Sequence, residues 1–229
     1  MKKKIVVVIP AFNEENSIGK VVRDIPKGCV DEVIVVDNNS SDATEQSALA
    51  EGATVLSEPK QGYGAACLKG LAYIDTLNPL PDIVVFLDAD YSDYPEELPS
   101  LVRPILEDGM DLVIGSRALG DREKGSMTLP QVFGNWLATT LLRWFYKVEF
   151  TDLGPFRAIR YDALKHINMV DTNYGWTVEM QLKAAKLGLR TTEVPVTYRQ
   201  RIGQSKVSGT VKGAVSAGYK ILYTIFKYL

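Results

Sequence analysis

The chain has 229 residues, 46% hydrophobic and 24% charged, enough for one large domain with a substantial core. A net charge of -2 excludes the global positive field of a nucleic-acid binder, and no run reaches the ~18 apolar residues that suggest a membrane span. Two cysteines, Cys29 and Cys67, make no disulfide framework and fit a reducing compartment, while a single histidine, His166, excludes a histidine-rich zinc centre.

The first apolar run, IVVVI at residues 5–9, reads as a strand covered on both faces. Pro10 and then Asn13, Glu14 and Glu15 break it, which argues against a targeting segment. A helix is expected over 17–24, a second strand over Glu32–Asp37 (EVIVVD), a helix over 43–51 and a short strand over 53–56. Residues 62–75 carry Ala65, Leu68, Leu71 and Ala72 at helical spacing. IVVFL at 83–87 is the next strand. Pro95 opens a helix to about residue 108, which Pro99 and Pro104 must distort, and a strand resumes at Asp111. Strands alternating with helices predict a doubly wound, mostly parallel α/β sheet with ligands beyond the strands' carboxyl ends.

The polar residues cluster at those ends. The fourth strand stops at Asp88 and Asp90, two carboxylates that repel each other and are costly to bury without a counter-ion. They are either solvated loop residues or ligands of Mg²⁺ or Mn²⁺, hard cations that keep diphosphate oxygens among their ligands. DADYSDYPEELP lacks the central glycine of an EF-hand loop. Asp37, ending the second strand, suits hydrogen bonds from a nucleobase or ribose. Neither GxGxxG nor GxxxxGK[ST] occurs, so a dinucleotide fold and a P-loop are unsupported. Gly62 and Gly64 in QGYGAA admit either a ligand or a simple turn.

PAFNEE (10–15), VVDNNSSD (35–42), LDAD (87–90) and GSR (115–117), in that order, resemble the family 2 glycosyltransferases of the GT-A fold, and among them the dolichyl-phosphate mannose synthase and polyprenyl-phosphate group. The resemblance implies a GT-A-like nucleotide-diphospho-sugar transferase fold and an inverting transfer of hexose from a GDP- or UDP-sugar with Mg²⁺ or Mn²⁺. It assigns Pro10, Ala11, Asn13 and Glu14 to the nucleotide pocket, Asp37 to base or ribose, and Asp88 and Asp90 to ribose, metal and diphosphate. It extends through VPVTYRQRIGQSK, a segment that closes on the nucleotide-sugar in that family. Arg201 and Lys206 are expected to screen the diphosphate, with Ser205 donating a hydrogen bond. The chain departs from the pattern at Ser92, where relatives carry a glutamine metal ligand, and at Pro155-Phe156-Arg157, where they carry Gly-Phe-Arg. Asp93 or water stands as an alternative ligand.

One domain is expected, with a nucleotide-sugar half over 1–116, an acceptor half over 117–200, and a cationic loop with an amphipathic helix over 201–229. Arg117 and Arg157 are expected to hold the acceptor, a polyprenyl phosphate. A glycan or lipid hydroxyl acceptor would instead need a general base, for which Asp152 is the candidate; Asp152 equally suits capping a turn or orienting Arg157. A nucleotide-sugar-binding subunit without turnover is the alternative from another class. An aromatic helix over 132–150 reads equally as core or as membrane contact. Lys212, Lys220 and Lys227 on one side of the last helix suit an anionic lipid surface, a domain face or a partner. His166 reads as a surface helical residue. The resemblance places Tyr174, Gly175, Trp176 and Glu179 near the acceptor, with backbone bonding the alternative for Glu179. These features predict a cytoplasmic protein, peripheral on the cytoplasmic face of a membrane.

Overall fold

The computed structural model describes residues 2–203 and 211–229, excepting the side chains of Val211, Lys212 and Ala214. One seven-stranded sheet organises the chain: β1 (Ile5–Ala11), β2 (Glu32–Asp37), β3 (Thr54–Ser57), β4 (Ile83–Phe86), β5 (Leu112–Ser116), β6 (Arg157–Arg160) and β7 (Thr191–Pro195), in the order β3-β2-β1-β4-β6-β5-β7. All neighbours pair in parallel except β6, which is antiparallel to β4 and β5.

Period-two alternation sends β1 side chains to two layers. Val6 and Val8 join one core with Phe86, Ile159 and Trp176, under α3 (Tyr63–Ile74), α5 (Leu129–Tyr146), α6 (Tyr161–Ile167) and α7 (Trp176–Lys186). Ile5, Val7 and Ile9 join the other with Ile18, Val21, Leu98 and Leu101, under α1 (Ile18–Asp24) and α4 (Leu98–Glu107). α2 (Thr44–Ala50) flanks the β2–β3 edge. Pro95 opens a 3-10 turn, Pro95–Glu97, and not the helix itself; α4 starts at Leu98, with Pro99 in its first turn, where a proline is tolerated, and Pro104 inside a helix that runs on to Glu107. α5 begins earlier than predicted, because Thr128 and Gln131 form a capping box ahead of Leu129.

The last helix, α8 (Val211–Lys227), packs on its own domain against α5 and α7. Thr224 and Ile225 are buried, Tyr146 Oη donates to the Ile225 carbonyl at 2.8 Å, and Lys186 Nζ donates to the Tyr228 carbonyl at 2.7 Å. Lys220 pairs with Asp171 at 2.8 Å, which turns it inward and corrects its expected place on a lipid-facing side. Glu179 is fully buried and accepts from Asp171 N (2.7 Å), Val170 N and Tyr228 Oη (2.9 Å) while pairing with Lys183 at 2.6 Å. Its role is to join α6, α7 and the C-terminus, not to face an acceptor. His166 is exposed on α6.

Removing the Glu179 carboxylate takes the shared acceptor from a half-buried lysine, a phenol and two backbone amides. Glu179→Ala is expected to lower stability by about 3 kcal/mol, read by urea unfolding; a loss under about 1 kcal/mol contradicts this reading.

Candidate functional site

The carboxyl ends of β2, β1 and β4 lie side by side, with Ala11 and Asp37 paired in register. Pro10 and Ala11 belong to β1 itself, and Pro10 lines the cavity described below. Beyond the strand, Asn13 adopts a left-handed φ of 53°, a conformation that asparagine tolerates better than most residues. Its Oδ1 accepts from Ser41 N at 2.8 Å and its N–H donates to Ser40 Oγ at 2.9 Å, which joins the β1 and β2 loops. Glu14 is buried; its N–H donates to Thr44 Oγ1 (2.7 Å) and its Oε2 accepts from Ser17 Oγ (2.8 Å). Asp37 is also buried, and its Oδ1 has no hydrogen-bond partner among the described residues. An unpaired buried acceptor is costly unless a ligand satisfies it.

The β4 end brings the two aspartates together. Tyr63 Oη donates to Asp88 Oδ1 at 3.1 Å. Asp90 is 5% exposed; its Oδ1 accepts from the N–H and hydroxyl of Ser92, so Ser92 orients Asp90. Asp90 Oδ2 lies 2.8 Å from the Arg201 guanidinium, whose same nitrogen lies 3.4 Å from Glu14 Oε1. Burial and the neighbouring Asp90 charge push the Asp88 carboxyl up to about 7. Asp93 is buried with neither carboxylate oxygen partnered among the described residues, and burial, then the charges of Asp88 and Asp90, hold its pKa well above the ordinary range. Among the described residues no three His, Cys, Asp or Glu side chains converge as a metal cage. Two carboxylates on one short loop, one already paired with a cation, fit Mg²⁺ or Mn²⁺ held jointly with diphosphate oxygens.

The three residues assigned to the acceptor behave differently. Arg117 lies at the cavity wall, with its guanidinium over the Tyr198 ring at 5.1 Å. Asp152 grips it with both carboxylate oxygens (2.7 and 2.8 Å) and also accepts the Arg117 backbone N–H at 2.8 Å. Burial opposes the Arg117 charge, but the Asp152 carboxylate overrides it and raises the pKa. Asp152 is 1% exposed and committed to Arg117, which counts against its expected use as a general base and makes it a positioning residue. Arg157 is fully buried, with its guanidinium donating to the carbonyls of Gly154, Leu153 (3.1 Å) and Thr177 (2.9 Å). Burial pushes its pKa down to about 10. Its donors are taken by backbone, so the expectation that it holds an acceptor phosphate is corrected: Arg157 fastens the 153–154 loop to α7. Ser205 and Lys206 lie outside the described residues.

A cavity of about 400 Å³ opens from Asp88, Asp90, Arg117 and Arg201. It runs past Tyr63, Leu153 and Trp176 to Pro130 and Gly134 of α5 and to Ala217, Gly218 and Ile221 of α8. Sequence reading missed Tyr63, Tyr198 and Arg199. Arg199 stacks between Tyr91 and Tyr94, 3.4 and 4.0 Å from their ring centroids, and donates to the Tyr91 and Asp93 carbonyls. It pins the segment carrying Arg201 over the aspartates. The aromatic-basic pairing of Tyr91 and Tyr94 with Arg199 was a signal, but one separated by over a hundred residues. A Cβ at Gly62 or Gly64 would come within 2.2 and 2.1 Å of the Thr172 and Asp171 carbonyl oxygens, so both glycines permit close backbone packing.

A mostly parallel sheet with buried acids converging beyond its carboxyl ends defines a nucleotide-sugar transferase of the GT-A type. The family model for glycosyl transferase family 2 matches residues 6–167, and the chain belongs to that family. A dolichyl-phosphate hexose transferase of Haloferax volcanii is 33% identical over 91% of this chain and 88% of its own length. An undecaprenyl-phosphate mannosyltransferase of Micrococcus luteus is 31% identical over 92% of this chain and 90% of its own length. The structure of glucosyl-3-phosphoglycerate synthase from Mycobacterium tuberculosis, in complex with Mn²⁺, UDP and phosphoglyceric acid, superposes with a TM-score of 0.78 at 26% identity, covering 99% of this chain and 78% of that one. The protein is a glycosyltransferase.

The raised Asp88 pKa has a consequence for stability. Folded Asp88 keeps a proton that the unfolded chain releases above about pH 4, so it withdraws stability as pH rises from about 4 to 7. Asp93 acts in the same direction. In EDTA the melting temperature is expected to fall across pH 5–7, and Asp88→Asn to flatten that fall; the same slope in both proteins contradicts it.

Proposed function

We propose that the protein transfers a hexose from a GDP- or UDP-sugar to a polyprenyl phosphate. The observation that carries this reading is the cavity: it begins at carboxylates and arginines and continues into a mostly apolar space between α5 and α8. A phosphate head with a hydrocarbon tail matches that gradient, and the polyprenyl-phosphate and dolichyl-phosphate relatives support it. A phosphoglycerate, as bound by the similar solved structure, has no use for the apolar end.

In this reading Pro10, Ala11, Asn13 and Glu14 border the nucleotide, and Asp37 Oδ1 accepts from its base or ribose. Asp88 and Asp90 hold Mg²⁺ or Mn²⁺, which when bound neutralises charge on the departing diphosphate. Arg201, with Ser205 and Lys206, screens the same diphosphate. Arg117, fixed by Asp152, holds the acceptor phosphate, whose oxygen forms the new bond to the anomeric carbon from the face opposite the breaking bond to the nucleoside diphosphate. The acceptor is already anionic, so positioning and charge stabilisation suffice and no general base is required.

The same two helices supply a membrane-facing surface. Phe133, Trp136 and Trp144 on α5, with Tyr219 and Phe226 on α8, are all more than half exposed. Aromatic side chains concentrated this way suit a bilayer interface. Among the described residues no helix is long and apolar enough to cross a membrane, so the proposed association is peripheral, at the cytoplasmic face.

A labelled-donor assay with undecaprenyl or dolichyl phosphate tests the acceptor. Label is expected in an acid-labile lipid glycosyl phosphate. Gly218 has open space where a Cβ would stand, so Gly218→Leu should fold, retain nucleotide binding and lose at least about tenfold in lipid transfer. Label entering only a hydroxyl acceptor through a stable glycosidic bond overturns the reading.

A further inference from the structure

Arg201 stands where a metal ligand's cation belongs. Its guanidinium nitrogen is 2.8 Å from Asp90 Oδ2 and 3.4 Å from Glu14 Oε1, so one monovalent group bridges two buried acids. Arg117 makes a useful contrast. Its forked, two-oxygen pairing with Asp152 is closed off from solvent, with the two side chains 11% and 1% exposed. Arg201 meets Asp90 through one nitrogen, is 29% exposed, and its Nε is buried without a hydrogen-bond partner among the described residues. Its pairing is incomplete as well as accessible.

The backbone around Arg201 is anchored independently of that side chain. Ile202 N donates to the Asp90 carbonyl at 2.9 Å, Arg199 N donates to the Ser92 carbonyl at 2.9 Å, and Arg199 is stacked between two tyrosines. The guanidinium can therefore change partners by side-chain rotation while its Cα stays beside the aspartates.

We propose that Arg201 is an exchangeable counter-ion: it neutralises Asp90 and Glu14 in the donor-free enzyme, gives up Asp90 to the divalent ion, and passes to the diphosphate that arrives with that ion. This rests on the nucleotide-sugar reading of the site. The exchange follows from charge and shape. A divalent ion outcompetes a guanidinium for a carboxylate, and the planar fork of arginine matches phosphate oxygens. Metal arriving alone must displace Arg201 with no new partner for it. Metal arriving with a diphosphate provides that partner, so the two ligands bind cooperatively through this side chain.

The proposal requires effects of opposite sign from one substitution. Mn²⁺ is titrated calorimetrically into wild type, Arg201→Ala, Arg201→Gln and Arg201→Lys without nucleotide. The neutral variants are expected to bind Mn²⁺ about tenfold more tightly than wild type, and Arg201→Lys to stay near wild type because it keeps the competing charge. With Mn²⁺ saturating, the neutral variants are expected to bind GDP or UDP about tenfold more weakly. Circular dichroism confirms folding, and Arg201→Gln, which keeps much of the side chain's bulk, serves if Arg201→Ala is unfolded. Neutral variants that bind Mn²⁺ alone no more tightly than wild type overturn the exchange. A wild type that binds neither GDP nor UDP even with Mn²⁺ defeats the donor reading instead, and the Mn²⁺ comparison still decides whether Arg201 competes for Asp90.

Discussion

The structure depends on balancing negative charge at the carboxyl ends of buried strands. Glu14, Asp37, Asp90, Asp93 and Asp152 are all buried, with Asp88 half-buried among them. So many carboxylates repel one another and resist desolvation. The protein answers in three ways. Arg117 is locked to Asp152, Arg201 is loosely shared by Asp90 and Glu14, and burial and mutual repulsion raise the pKa values of Asp88 and Asp93. The first arrangement is permanent wall. The second and third are unfinished, and an unfinished charge balance is what a cationic ligand completes.

The sheet topology gives the site two different sides. β2, β1 and β4 run parallel, so their ends deliver the acids to one edge. The chain then leaves β5, forms α5 and returns through β6 antiparallel to its neighbours. That return places the 152–154 loop beside the same edge, where Arg157 fastens it by backbone carbonyls and Asp152 aims Arg117. α8, held through Glu179 and Asp171, covers the far side. Polar strand ends therefore meet an apolar helix pair within a single cavity, and that meeting is the basis for proposing an acceptor with a charged head and a hydrocarbon tail.

Much of residues 1–116 was legible because the strands there are continuous β-branched runs closed by polar residues: IVVVI, EVIVVD and IVVFL each mark both a strand and its end. β6 was not, since RAIR offers only two apolar residues among two arginines, and its burial comes from neighbours contributed by distant segments. β7, TTEVP, is a partly exposed edge strand with no alternation to read. The same locality limit governs the site. The spacing of Asp88 and Asp90 is local and was readable. The fate of Arg157 was not, because residue type cannot separate a guanidinium awaiting phosphate from one spent on carbonyls. Glu179 and Lys220 looked like site and surface residues for the same reason. Arg199 became an anchor only through tyrosines on a different loop.

The central claim is that Asp88 and Asp90 join a divalent cation to a nucleoside diphosphate. Calorimetric titration of GDP and UDP into wild type and Asp90→Ala, each with and without Mn²⁺, measures it most directly. The account predicts that Mn²⁺ strengthens binding of one of these nucleotides to wild type, and that Asp90→Ala, still folded, shows no such strengthening. Unchanged Mn²⁺-dependent affinity in Asp90→Ala would contradict it.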